Sequence, residues 1–328
     1  MTHVRVGGVD GVDGNLLSGG GMHSETDFLQ GVEVTGPVAA FVTFGAGSGG
    51  LPAVRVKGPL CEGEVLLHGA HVTHFAPAGK APLLFVSERA VFRDGAAVRG
   101  GVPVIFPWFG PRAGHPESPM HGLVRTRAWR LVRVAATADG VVEVVLGIED
   151  SEETRAHWGH AFRLELAVRF AADLGLRLTV SNRGSEAFRC ETAFHPYFVV
   201  GDIREVGVRG LSGVTYVSKT EGMARRVDEE PVVRFSAETD RVYCGTEGTC
   251  VIEEAGRDSV VLEKRGSCTT VVWNPWVAKA AAMADFGDGE WPGMVCVEQA
   301  NAGDDALEIA AGESVEMSAV YRLAATSR

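Results

Sequence analysis

From about Gly31 onward the chain alternates. In "AFRLELAVRF" Phe162, Leu164, Leu166, Val168 and Phe170 are apolar, and Arg163, Glu165 and Arg169 stand between them. A period of two places all five apolar side chains on one face of an extended segment, the mark of a half-buried strand. "LGLRLTVSN" repeats the pattern through Leu174, Leu176, Leu178 and Val180, and "VVEVVLGIED" through Val142, Val144, Leu146 and Ile148. "SVEMSAVYRL" does so through Val315, Met317, Ala319 and Tyr321. Turns rich in Gly, Asp, Asn or Pro separate these short strands. Helical patterns are confined to "SEETRAHW" after Asp150 and "WVAKAAAMADF" over 276–286. The alternation of strand with long helix that builds a parallel sheet is missing. The pattern therefore predicts an all-β, mainly antiparallel fold, a single large two-sheet β-sandwich over 31–328. Residues 1–30 are Gly-rich without periodicity and are expected to form a flexible N-terminal extension.

Composition narrows the classes. The chain has 328 residues, 45% of them hydrophobic, enough to fill a sizeable core. Its mean hydropathy is +0.07, and no apolar run approaches the roughly 18 residues that a spanning helix needs. The N-terminus lacks the basic start and apolar centre of a signal peptide, so no membrane association and a cytoplasmic location are the expectation. A net charge of −11 argues against a nucleic-acid partner, since phosphate-backbone binding rests on a basic surface. Six cysteines are scattered without a C-x-x-C pair, which suggests reduced thiols and no zinc site. No coiled-coil or long amphipathic helix is evident, and a monomer is expected.

Several stretches interrupt the apolar pattern with groups that carry chemistry. "ETAFHPYFVV" sets His195 before Pro196, among Phe194, Tyr197 and Phe198. A following proline drives His195 into extended geometry, so it is expected on a strand, either as a packed core histidine or as a proton-transfer group. In "MVCVEQANAG" an extended chain puts Cys296 and Glu298 on one face and Val295 and Val297 on the other. A carboxylate there is costly unless paired or used. "VRGGVPVIFPWFGP" carries Arg99 before two glycines, and "HGLVRTRAW" carries His121 and Arg125. Each arginine forms either a structural ion pair or half of an oxyanion pocket. "ETDRVY" adds Asp240, and "VVWNPW" adds Trp273 and Trp276, aromatic faces suited to a sugar ring or to a core. "GAGSGG" at 45–50 fits G-x-G-x-x-G, but a strand-like run follows it where a nucleotide site needs a helix, so it reads as a loop. "HGAHVTH" holds His68, His71 and His74, read as a hydrogen-bonded or solvated strand face in preference to a metal site. No G-x-S-x-G elbow is present.

Taken in order, "LHGAHV", "VRGGVPVIFPWFGP", "HGLVRTRAW", "TRAHW", "FHPYF", "GDI", "ETDRVY", "VVWNPW" and "VCVEQANA" resemble the aldose 1-epimerase (galactose mutarotase-like) superfamily across residues 51–325. The closest resemblance is to its glucose-6-phosphate 1-epimerase, or hexose-6-phosphate mutarotase, branch. The resemblance implies the antiparallel supersandwich of that superfamily and a cofactor-independent exchange of sugar anomers. It implies His195 and Glu298 as the acid/base pair, Arg99 and Arg125 as holders of a sugar phosphate, and His121 and Asp240 in the substrate site. Two departures stand out. Met120 occupies the position where eukaryotic relatives often carry Gln, and "EQAN" replaces their "EPG" in a form similar to bacterial members. A mutarotase for unphosphorylated aldoses and a non-catalytic sugar-binding module on the same fold are the alternatives.

Overall fold

The computed structural model describes residues 29–325. The Gly-rich stretch expected to be a flexible extension therefore lies, apart from its last two residues, outside the described residues. The alternating segments become strands with the bounds their pattern implies. Phe162–Phe170 buries its five alternating apolar residues and leaves Arg169 exposed, and Leu174–Asn182 repeats the arrangement beside it. Each inward Leu or Phe contributes about 1.5–3 kcal/mol of burial. A slip of one residue would put the charged set into the core, so the register is strongly determined.

These strands belong to a ten-stranded sheet running from Glu33–Thr35 through Arg130–Ala136, Val142–Glu149, Phe162–Phe170 and Leu174–Asn182 to Ser314–Ala324, and on to Val233–Arg234. Every neighbouring pair is antiparallel except the first, where Glu33–Thr35 lies parallel to Arg130–Ala136. A second sheet of eight strands has Met294–Asn301 near its middle, with Thr269–Asn274 on one side and Thr192–Phe194 and Tyr197–Val199 on the other. Four further strands between Val42 and Pro77 form a third sheet. The two large sheets share one core. Val272, Val295, Val297 and Phe198 of the second sheet join Leu164, Leu176 and Tyr321 of the first, and the Phe198 and Tyr321 rings meet edge to face at 5.2 Å. The fold is the expected all-β sandwich.

Both helical patterns are realised, one of them truncated. Glu152–His157 begins at a capping box in which Ser151 and Thr154 bond each other's backbone N–H groups. The second helix covers Trp276–Ala282 and stops at Met283, short of the expected 286. The chain leaves the helix there because Phe286 is fully buried against Phe85, ring centroids 5.8 Å apart. "GAGSGG" ends a strand and makes a short turn into Pro52–Lys57, with no helix after it. All six cysteines are free thiols, four of them buried. No helix among the described residues is long and apolar enough to cross a membrane.

Candidate active site

The Met294–Asn301 strand is buried along its whole length, so alternation shows in what each side chain meets. Val295 and Val297 enter the inter-sheet core, whereas Cys296 packs on Tyr197 and Trp273 on the opposite face. Glu298 shares that outer face by the two-residue repeat.

His195 is not itself within a strand. It and Pro196 fill the gap between Thr192–Phe194 and Tyr197–Val199. The gap leaves the register intact: Phe194 faces Gln299 and Tyr197 faces Cys296, which sets His195 opposite Glu298. Pro196 has no N–H to add to the ladder, and the His195 N–H turns to Pro103 O at 3.0 Å. His195 Nε2 lies 3.2 Å from Glu298 Oε1. On the other flank Val271 faces Glu298, Trp273 faces Cys296, and Asp240 faces Trp273. One sheet face thus carries two cross-strand rows, Asp240–Trp273–Cys296–Tyr197 and Val271–Glu298–His195.

Of the aromatic residues beside His195 in the sequence, only Tyr197 lies against its ring. Tyr197 stacks on the imidazole and Trp273 meets its edge at 6.1 Å. Phe194 and Phe198 lie in the inter-sheet core instead, because the pleat sends alternate residues to opposite faces.

Arg99 arrives on the segment that runs beside this strand pair, with Gly101 O accepting from the Tyr197 N–H at 2.9 Å. Gly101 has φ +59, and a Cβ there would stand 2.3 Å from Val72 O, so the close approach requires glycine. His71 Nε2 lies 2.7 Å from Gly100 O and donates to it beneath the turn, while His68 bonds Ala96 O at 2.6 Å. Both histidines are buried and engaged with backbone carbonyls. Arg99 Nη1 donates to the Tyr197 hydroxyl at 3.0 Å and Nη2 to Asp285. Arg125 donates to Met120 O at 2.8 Å, so the backbone of the departing Met120 supports an arginine while its side chain is half exposed. His121 takes a left-handed φ of +62, an uncommon conformation for a non-glycine residue, and its Nδ1 accepts from the Gly110 N–H at 3.2 Å.

A cavity of about 560 Å³ gathers these groups. Its wall includes Arg99, His121, Arg125, His195, Asp240 and Glu298, the six residues that the resemblance implies for the site. It also includes Lys219 and Lys279, which no motif marked; their partners are Asp240, at 3.4 Å, in the Thr239–Cys244 strand, and Glu238, at 2.9 Å, just before it. Arg99 Nε, Arg125 Nε, His195 Nδ1 and Glu298 Oε2 are buried with no hydrogen-bond partner among the described residues. Buried polar atoms are ordinarily hydrogen-bonded, so four left without a partner on residues that line one cavity are exceptional.

Burial dominates the electrostatics. It lifts the Glu298 carboxyl well above the usual range, with Lys219 opposing and Asp240 reinforcing the shift. It holds the His195 imidazole well below its usual value, helped by the field of His121, Arg125 and Arg99. His121 is pushed down to about 2 by burial and then by Arg125, and burial draws the Arg125 guanidinium down to about 10.

The aldose 1-epimerase family model matches residues 52–322. A protein of Cenchrus ciliaris, provisionally named a glucose-6-phosphate 1-epimerase, is 34% identical over 263 residues, covering 76% of this chain and 78% of that one. A protein of Escherichia coli with the same provisional name is 34% identical over 255 residues, 77% of this chain and 84% of its own. The crystal structure of a provisionally named mutarotase from Salmonella typhimurium superposes with a TM-score of 0.81 at 27% identity, over 92% of this chain and 99% of that one. With its sandwich, its paired imidazole and carboxylate and this span of likeness, the chain belongs to the aldose 1-epimerase family.

Proposed function

We propose that the chain interconverts the α and β anomers of a hexose 6-phosphate, glucose 6-phosphate foremost, by acid/base ring opening and reclosure. The observation that carries this reading is the register opposition of His195 and Glu298, whose side chains meet at 3.2 Å on the wall of a cavity that also holds two arginines. Anomer exchange needs one group to take the C1 hydroxyl proton while another protonates the ring oxygen. Glu298 is the base and His195 the acid. As the C1 hydroxyl proton passes to Glu298 and the His195 proton to O5, the C1–O5 bond breaks and leaves the open aldehyde. Rotation about C1–C2 presents its other face, and the reversed proton flow closes the ring.

Burial favours a neutral carboxyl and a neutral imidazole in the empty site. Moving that one proton from Glu298 to His195 makes the reactive ion pair without changing the number of protons bound. A phosphate dianion held by Arg99 and Arg125 cancels part of the field that depresses His195, and so favours the charged acid. His121 and Asp240, on the same wall, complete the sugar site. An anomerisation assay by exchange NMR across hexoses and their 6-phosphates tests the reading. Faster exchange of the phosphates, lost in Arg99→Ala and Arg125→Ala, is the expected result. Equal rates on glucose and glucose 6-phosphate would reject the phosphate pocket, and sugar binding without turnover would reject the enzyme.

A further inference from the structure

Arg99 and Arg125 share the cavity, yet only Arg99 has a carboxylate against it. Its Nη2 donates to Asp285 Oδ1 at 3.2 Å and lies 3.1 Å from Oδ2. Among the described residues Arg125 has no carboxylate within ion-pair distance, Lys219 is engaged by Asp240, and Lys279 by Glu238. Asp285 does not line the cavity itself, although it contacts Arg99, which does.

The turn that delivers Asp285 is anchored by the two residues that follow it. Phe286 is fully buried against Phe85. The Gly287 N–H donates to Glu290 Oε2 at 2.7 Å, and Glu290 also accepts from Ser87 Oγ at 2.5 Å and from the Glu88 N–H at 2.8 Å. A Cβ on Gly287 would fall 2.5 Å from Glu290 Oε2, so a side chain there would have to displace the Glu290 carboxylate. The carboxylate is held at the guanidinium by construction.

We propose that Asp285 is a positioning and specificity-tuning residue, a fixed counter-charge that orients Arg99 and weakens the pocket's hold on a phosphate dianion. The inference rests on the phosphate reading above. A guanidinium shared with a carboxylate has less charge to offer a second anion, and two anions at one cation repel. Binding that is equally strong in ground and transition states lowers KM without raising kcat, so a moderated grip favours release of product. The same carboxylate supplies the counter-charge that a half-buried arginine otherwise lacks when no ligand is bound.

Asp285→Asn keeps an acceptor for Nη2 and removes the charge. Competitive inhibition of anomer exchange by inorganic phosphate is then expected to tighten about three- to tenfold, and KM for glucose 6-phosphate to fall in parallel, with kcat moving less. Asp285→Glu, which retains the charge, is expected to stay within about twofold of wild type. An inhibition constant that is unchanged or weaker in Asp285→Asn overturns the proposal, as does equal tightening in Asp285→Glu. Should the Asn variant fail to fold, Asp285→Ser removes the same charge and carries the same expectation. If inorganic phosphate fails to inhibit the wild type and Arg99→Ala does not change that, the phosphate reading falls and this proposal with it. Tightening confined to the charge-removing variants separates the two.

Discussion

Tyr197 lies flat on His195, ring centroids 4.9 Å and planes 13° apart, and its hydroxyl accepts a hydrogen bond from Arg99 Nη1 at 3.0 Å. One side chain thus braces the proposed acid with its ring and the proposed phosphate holder with its oxygen. Burial lifts its phenol to about 12, so it stays neutral. Tyr197→Phe keeps the stacking and drops the bond to Arg99. KM for glucose 6-phosphate is expected to rise about ten- to a hundredfold, the worth of one hydrogen bond to a charged group, with a smaller effect on kcat. A fall in kcat with KM unmoved would place the role of Tyr197 on His195 alone.

Glu298→Gln separates function from stability. Exchange should drop about 10²–10⁴-fold as the base is lost. The raised carboxyl pKa fixes the sign of the stability change. The folded state keeps its proton above the unfolded value of about 4.3, so the carboxylate costs stability progressively as pH rises from there toward the folded value. A neutral amide removes that cost. Calorimetry at pH 7.5 is expected to show the variant melting about 2 °C or more above wild type; a lower Tm would mean that the ionised pair stabilises the fold.

His71 predicts an acid-side loss of stability. Burial pushes it down to about 4 from an unfolded value of 6.5. Its contribution is fully present above pH 6.5 and is lost as pH falls toward 4, because the unfolded chain takes up the proton first. At about 1.4 kcal/mol per unit, this is on the order of 3 kcal/mol. His71→Gln keeps a donor for Gly100 O without the titration. Denaturant melts from pH 7 to 4 should show a shallower slope for the variant than for wild type, and parallel slopes would exclude His71 as the source.

Gly101→Ala tests the turn that carries Arg99. With φ +59 and a Cβ 2.3 Å from Val72 O, backbone must shift. A destabilisation above about 2 kcal/mol is expected by chemical denaturation. A raised KM for the phosphorylated sugar should accompany it, and wild-type values for both would show that the turn tolerates a side chain.

Much of this molecule is legible locally. The alternation from Phe162 to Phe170 sets which residues face the core, and the motifs around Arg99, Arg125, His195, Asp240 and Glu298 select residues that converge on one cavity. Local reading fails where the partner is remote. Phe194 and Phe198 neighbour His195 in the sequence and belong to the other face. Lys219 sits in an unremarkable "VSKTEG", and Asp285 falls inside what reads as continuous helix over 276–286.

Periodicity is a property of neighbouring residues, so side-chain faces and strand extents follow from the sequence itself, as does the choice of polar groups allowed to interrupt them. Which strands lie side by side depends on closing long loops and matching registers between distant segments. Only the folded sheet set His195 opposite Glu298, drew Lys219 to Asp240, and bent the chain after Ala282 so that Phe286 could be buried and Asp285 reach Arg99. The physical reason is that these charged and hydrogen-bonding groups are tuned by burial and by one another, and both exist only once the sheets have packed.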